Sequence, residues 1–383
     1  MISEFLKEDK IWVDKLWERL IKKLSWVADV TGDKIPYTVN GGVHDDMAAV
    51  SNACWTNGFW PGLMIMMYNI TNDGKYLDIA RRNMDRMDSA LESYDKLNHD
   101  VGFMWNISSG ADYRLTGNAK QRNRFLLAAN HLMGRYNPNG RFIRAWDTYR
   151  GREVKGWAII DSMMNIPILY RASEETGDER YKMAAMNHAD KTMEFQVRKD
   201  GSCAHVVEYD EITGEFCTTH TGQGYSGNPA SAWSRGQAWG IYGFALSYAY
   251  TGKQEYLDTA KQIAHYFIAN VALNNWIPLC DFRAPSTPVI YDATAGAAAA
   301  CGLIEIANFS DRHERSLYLD AAMRILRALT EQFCDFSDES ESVLQMGTEG
   351  YDGDRRHHIP IVYGDFFLTE AFCKLRGYNN FIW

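Results

Sequence analysis

The apolar positions of the chain fall into two kinds of segment that alternate. Segments of the first kind are apolar nearly all round: Trp60 to Ile70, Asp100 to Leu115, Asp161 to Glu175, Arg235 to Tyr250, Asp292 to Asn308 and Asp365 to Arg376. A helix without a polar face belongs inside a protein. Segments of the second kind carry one apolar stripe. Tyr76, Leu77, Ala80, Met84 and Met87 form one, and Tyr256, Leu257, Ala260, Ile263, Ala264 and Phe267 form another. Near the N-terminus, Val13, Leu16, Trp17, Leu20, Ile21 and Leu24 share a face. This spacing predicts surface helices with one side turned inward.

A recurring turn separates the two kinds. It reads Thr71-Asn72-Asp73-Gly74, Thr116-Gly117-Asn118, Thr176-Gly177-Asp178, Thr251-Gly252-Lys253 and Phe309-Ser310-Asp311. Glycine just past a helix end suits the left-handed position there. An Asp or Asn that follows can cap the next helix. The pattern therefore predicts six buried helices alternating with six amphipathic ones. The expected fold is all-α: an inner ring inside an outer ring, an (α/α)6 barrel. An open α-solenoid is the competing arrangement of such pairs. Apolar inner helices and a chain limited to six pairs favour closure. No linker or composition break interrupts the chain, so residues 1–383 read as a single domain.

One region departs from helix. Cys203 to Asp210, then Glu211-Ile212-Thr213-Gly214, then Glu215 to His220 predicts a small β-hairpin at the mouth of the barrel. A Gly-rich loop, Gly222 to Pro229, follows.

In an alternating barrel the inner helices run parallel, so their N-termini meet at one mouth. The residues there are Trp55 to Trp60, Asn98 to Phe103, Ile160-Asp161, Trp233 to Trp239, Tyr291-Asp292 and Tyr363 to Asp365. An Asp at a helix start is ordinarily only a cap. Capping does not explain the company of Asp100 and Asp161, however. His99 precedes the first, and the second lies inside the apolar run Trp157-Ala158-Ile159-Ile160-Asp161-Ser162-Met163-Met164. Apolar surroundings raise a carboxyl pKa, so Asp161 is expected to hold a proton near neutral pH. Paired carboxyls in a Trp-lined mouth are a glycosidase-type constellation. Large aromatics at helical spacing are more often core; Trp233 and Trp239, flanking Arg235 and Gln237, are the better candidates for a ligand platform.

Composition narrows the classes further. The net charge of −9 argues against nucleic-acid and membrane-surface binding, which need a basic face. Seven scattered cysteines do not make a disulfide framework. The N-terminus shows no secretory signal and no apolar run is long enough to span a membrane, so a cytoplasmic location is expected. Cys203, His205, Cys217 and His220 could present two thiolates and two imidazoles to a metal, but at poor spacing for zinc. No phosphate-binding loop, dinucleotide fingerprint or nucleophile elbow is present.

At its motifs the chain resembles the unsaturated glucuronyl hydrolases, glycoside hydrolase family 88. The pieces are Trp55-Thr56-x-Gly58-Phe59-Trp60-x-Gly62, His99-Asp100-x-Gly102-Phe103, Ala145-Trp146, Ile160-Asp161, His220 with Gln223-Gly224, and the run Trp233 to Ala245. The resemblance implies an (α/α)6 barrel and removal of a 4,5-unsaturated uronic acid from lyase-generated oligosaccharides by hydration. It implies Asp161 as general acid and base and Asp100 as the second essential carboxyl. His205 and Gln223 would sit near the double bond; Trp55, His99, Trp146, Trp233, Arg235 and Trp239 would line the pocket. No metal or organic cofactor is implied. The loop His220-Thr221-Gly222-Gln223-Gly224 is longer than the family's compact His-Gln-Gly. Arg355, Arg356, His357 and His358 form a basic cluster in a loop that helps this family choose sulfated partners; a solvated loop is the plainer reading. An unsaturated rhamnogalacturonyl hydrolase, an inactive sugar-binding barrel, and an epimerase using His205 and His220 are the rivals.

Overall fold

The recurring turns take the shape their chemistry favours. Thr71, Thr176 and Thr251 each donate a hydroxyl to the carbonyl four residues back, at 2.7, 2.6 and 2.6 Å. Each also accepts the N–H two residues on, at 3.2 Å. Gly117, Gly177 and Gly252 take the left-handed conformation, and Asn72 takes it at φ 57°. Asp73, Asn118, Asp178 and Asp311 cap the helices that follow with side-chain oxygens. Lys253 has no oxygen to offer and makes no such bond.

The structure is a computed structural model describing residues 7–93, 95–378 and 382–383. Among the described residues twelve long helices alternate between two rings. The outer helices are α1 (Lys7–Thr31), α3 (Gly74–Leu91), α5 (Ala119–Gly134), α7 (Glu179–Phe195), α9 (Gln254–Ala272) and α11 (Arg312–Gln332). The inner helices are α2 (Phe59–Thr71), α4 (Gly102–Gly110 continuing as Ala111–Thr116), α6 (Ser162–Asn165 continuing as Pro167–Thr176), α8 (Ser234–Thr251), α10 (Ala293–Phe309) and α12 (Val362–Leu375). Each inner helix packs on the next, and α12 packs on α2. The ring is closed, so the solenoid is excluded and the (α/α)6 barrel stands.

Two inner helices depart from regular α geometry. The first nine residues of α4 are wound as a π-helix. In α6, Pro167 opens the second half, where its missing N–H costs nothing. The barrel centre is filled with rings. Phe59 touches Phe103 and Phe366, with centroids 5.4 and 5.1 Å apart, and Trp239 touches Phe103 and Phe367 at 5.3 and 5.4 Å. Trp383 lies parallel to Phe367 and is buried against Tyr242 and Phe366.

The hairpin is present, and it is wider than expected. β2 (Val206–Tyr209) and β3 (Phe216–His220) pair antiparallel, and β1 (Trp157–Ile159) adds a third strand along β2. A three-residue apolar run before a buried helix has no period of its own, so the sequence did not mark it as a strand. No helix among the described residues is long and apolar enough to cross a membrane.

Asp365 stands at the N-terminal end of its inner helix as expected, but its carboxyl is taken up by the preceding loop. It lies inside the first turn of α12, and its carboxyl accepts from Ser342 Oγ, Val343 N and Leu344 N at 3.0, 2.9 and 2.6 Å. Burial pushes its pKa up to about 6. Asp292 does cap, accepting from Thr294 N at 3.2 Å.

Candidate active site

Strand register brings the first pair of functional groups together. Ile159 lies opposite Val206, and the ladder runs one step further through Ile160 N to His205 O at 3.0 Å. Asp161 is the next residue and sits at the cap position of α6, yet its side chain makes no capping bond. Its Oδ2 lies 3.3 Å from His205 Nε2. Neither atom has a hydrogen-bond partner.

The loop after β3 sets the state of that imidazole. Gln223 N donates to His205 Nδ1 at 2.9 Å. A backbone N–H can only donate, so Nδ1 is the acceptor and the ring proton is on Nε2, facing Asp161. Gly222 makes the approach possible. It has a φ of +59°, and a Cβ on it would lie 1.9 Å from Nδ1. Gln223 thus acts on His205 through its backbone. Its carbonyl accepts from Tyr351 N at 2.8 Å, tying the loop to the 350–355 segment.

A residue that the sequence reading missed holds this loop. Asp281 is buried and accepts from Tyr225 N, Ala232 N and Arg283 N at 3.0, 3.1 and 2.8 Å, and from the Ser231 hydroxyl. Its signal in the sequence was one Asp in an irregular stretch, which carries no period.

The second carboxyl comes from the next inner helix. Asp100 Oδ1 lies 3.4 Å from both Asn165 Nδ2 and His99 Nε2. His99 Nδ1 meets Ser162 Oγ at 2.9 Å, on α6. Asn165 Nδ2 also donates to the Asp161 carbonyl at 3.1 Å, so one amide touches both Asp residues. Burial raises the Asp100 pKa, and the nearby charge of Asp161 raises it further, to about 8. Burial also pushes Asp161 upward. The imidazole of His205 beside it, with His99 and Arg235 farther off, pulls harder and leaves Asp161 below its ordinary value. This reverses the expectation from the apolar run: at rest Asp100 holds the proton and Asp161 is ionised. The reason is His205, which the linear sequence does not place next to Asp161. Burial depresses His99 to about 3, so it stays neutral.

The expected lining residues separate into layers. Trp55 and Trp146 are partly exposed; Trp55 packs on Phe103 at 5.5 Å, and Trp146 stands edge-on to His99 at 6.0 Å and stacks on Tyr149 at 5.2 Å. Trp233 is buried and supports His205, with centroids 4.6 Å apart. Arg235 was expected to face the pocket, but its guanidinium is committed. It pairs with Asp292 and donates to the carbonyls of Thr348 and Glu349 at 2.6 and 3.0 Å. Trp239 is a correction too: at 0% exposure among Phe103 and Phe367 it is core, and no sugar reaches it.

The cysteines and histidines of the hairpin do not converge. Cys203 is buried, Cys217 is exposed, and His220 Nε2 bonds Glu208 Oε2 at 2.6 Å. Among the described residues no group of three His, Cys, Asp or Glu could hold a metal ion. In the basic cluster, Arg356 is paired with Glu349 at 2.7 Å, and His357 meets the carbonyls of Gly350 and Tyr351. His358 Nε2 accepts from Tyr291 N. Arg355 clips three loops, donating to the Tyr149 hydroxyl at 3.0 Å and to the carbonyls of Gly222 and Asp352.

Comparison with known proteins agrees with this geometry. Residues 27–272 match the model of Glycosyl Hydrolase Family 88. The chain is 35% identical to the unsaturated glucuronyl hydrolase of Bacillus sp. (strain GL1), over 91% of this chain and 93% of that protein. The crystal structure of the unsaturated glucuronyl hydrolase from Bacillus sp. GL1, described as responsible for the degradation of glycosaminoglycan, superposes with a TM-score of 0.88 at 32% identity. It covers 95% of this chain and 97% of that one. A mutant of the Streptococcus agalactiae unsaturated glucuronyl hydrolase, complexed with dGlcA-GalNAc6S, superposes with a TM-score of 0.82 at 28% identity, over 97% and 93%. Matched along most of its length in both sequence and shape, the chain belongs to Glycosyl Hydrolase Family 88.

Proposed function

We propose that the chain, residues 1–383 acting as one unit, removes the 4,5-unsaturated uronic acid from the non-reducing end of lyase-generated oligosaccharides of glycosaminoglycan type. It does so by adding water across the C4=C5 bond. One observation carries this reading. Two carboxyls from adjacent inner helices are pushed in opposite directions, Asp100 upward and Asp161 downward, and three atoms around them, Asp161 Oδ2, His205 Nε2 and His99 Nε2, have no hydrogen-bond partner. Unpartnered buried polar atoms cost about 1–3 kcal/mol each, a cost that a polar ligand removes. The likeness to unsaturated glucuronyl hydrolases, one of them complexed with dGlcA-GalNAc6S, supports the substrate class.

The chemistry follows from the charge states. Asp161 meets the reacting bond and Asp100 stores the proton. The uronate carboxylate, bound beside Asp161, adds a like charge and lifts the Asp161 pKa. The proton passes from Asp100 to Asp161 and then to C4, where the π electrons form the new C–H bond. C5 takes on oxocarbenium character, stabilised by the carboxylates. Water adds at C5 and returns its proton to the carboxyl pair, with His205 Nε2–H placed to orient it. The C5 hemiketal opens by breaking its bond to the ring oxygen, giving a ketone. The former anomeric carbon collapses to an aldehyde and frees the leaving sugar. Trp55 and Trp146 supply the walls on which the sugars stack. The described cysteines are all free, which supports a reducing compartment and a cytoplasmic place of action.

The test is loss of ultraviolet absorbance of the C=C bond, with unsaturated products from chondroitin, hyaluronan, heparin and pectin lyases. Loss with a glycosaminoglycan product is the expected result. Loss with the pectin product alone would assign a rhamnogalacturonyl substrate instead. No loss with any of the four would overturn the enzyme reading.

A further inference from the structure

The side chain of Asn165 has an unusual position for a residue buried between two inner helices. Its Oδ1 accepts from Phe103 N at 2.8 Å, at the start of α4. Its Nδ2 donates to the Asp161 carbonyl at 3.1 Å and faces Asp100 Oδ1 at 3.4 Å. These backbone partners leave no freedom in the amide. Phe103 N–H requires an oxygen opposite it, and the Asp161 carbonyl requires a donor. The group turned toward Asp100 is therefore N–H. Gly102 lets the helices approach this closely: a Cβ there would lie 2.5 Å from the Asn165 Cα and 2.8 Å from its Oδ1.

The carboxyl of Asp100 has two unlike oxygens as a result. Oδ1 faces the Asn165 amide and, at the same distance, His99 Nε2. An oxygen that faces a fixed amide N–H is a poor place for a proton. We propose that Asn165 is a positioning residue of the reaction: its amide reserves Asp100 Oδ1 as an acceptor, so that the transferable proton of the pair sits on Oδ2. This rests on the reading of Asp100 and Asp161 as the proton-handling pair. The titratable and charged groups facing Asp100 are His99 on its own turn, Asp161 on α6, Arg135 at the end of α5 and Cys54 before α2. None of them can do what the amide does, because none is fixed by backbone groups from both inner helices.

The experiment uses Asn165→Asp, which keeps the acceptor for Phe103 N and removes the amide donor, beside Asn165→Ser, which is too short to reach Asp100 and adds no charge. Both are assayed as the full chain on an unsaturated disaccharide that the parent turns over. A loss of about tenfold or more in kcat is expected, with KM within about twofold. Removing a donor that favours the ionised carboxyl also moves the alkaline limb of the kcat/KM profile to higher pH. A folded variant with unchanged kcat and an unmoved limb, whatever its melting temperature, overturns the proposal. If Asn165→Asp does not fold, Asn165→Ser gives the same readouts. Asp100→Asn and Asp161→Asn run in parallel. Full turnover in those two would sink the underlying reading, whereas loss in them with unchanged Asn165 variants would sink only the role of Asn165.

Discussion

The two ends of the barrel handle polar groups in opposite ways. At the turn end, Thr71, Thr176 and Thr251 each donate and accept, and the cap residues take up the first N–H groups of the next helix. At the mouth, Asp161 occupies a cap position and caps nothing, and His99 and His205 each keep a ring nitrogen without a partner. Aspartate stands at helix starts at both ends. Stability comes from polar groups that are satisfied within a few residues of themselves. Reactivity comes from polar groups that the fold brings together and leaves unsatisfied.

Asp161→Asn should break this contrast most. Turnover is expected to fall about a thousandfold or more, roughly 4 kcal/mol of barrier, with an unchanged melting temperature. Activity within tenfold of the parent, followed by absorbance, would remove Asp161 from the chemistry. Asp100 sharpens the contrast through pH. Its pKa of about 8 predicts that kcat/KM falls as pH rises through that value and the stored proton is lost. The same shift has a sign for stability. With an ordinary carboxyl pKa near 3.9 in the unfolded chain, the native state binds more protons between that pH and about 8. Stability therefore declines as pH rises across this window. Asp100→Asn removes the decline, so its melting-temperature advantage over the parent should widen up to about pH 8 and then hold. An advantage that is constant with pH would contradict the raised pKa.

Smaller effects test the supports. Gly222→Ala places a methyl against His205 Nδ1 and an L-residue at positive φ. The loop must shift and the Gln223 N–H bond is lost. A stability cost of about 1–2 kcal/mol is expected with a clear loss of kcat. Retained kcat would show that the His205 tautomer needs no such brace. The smallest effect belongs to the turn end. Asn118 accepts from Lys120 N and Gln121 N at 2.9 and 3.3 Å, and Asn118→Ala should cost about 1 kcal/mol in a denaturant titration with kcat unchanged. A change in kcat there would mean that the two ends are coupled.

The same contrast explains what could be read in the sequence. The turns are local: Thr, Gly and Asp carry out their roles within a few positions of one another, and twelve helices and their order followed from them. The mouth is not local. That Asp100 and Asp161 are neighbours was legible from equivalent places on adjacent inner helices. Which of them holds the proton was not, because His205 reaches Asp161 through the register of β1 on β2, and β1 has no periodicity of its own. Asn165 and Asp281 were missed for a related reason. Each works by bonding backbone groups distant in the chain, and a single Asn or Asp carries no mark of that. Trp239 and Arg235 were over-read because they lie within the motif that carries the resemblance; their partners lie in the core and in the 348–349 segment.

The packed rings of Phe59, Phe103, Trp239, Phe367 and Trp383 fill the barrel axis beneath the two carboxyls. That plug of rings closes the axis on the far side of the carboxyls, so a sugar is expected to approach them from the rim, where Trp55 and Trp146 stay partly exposed.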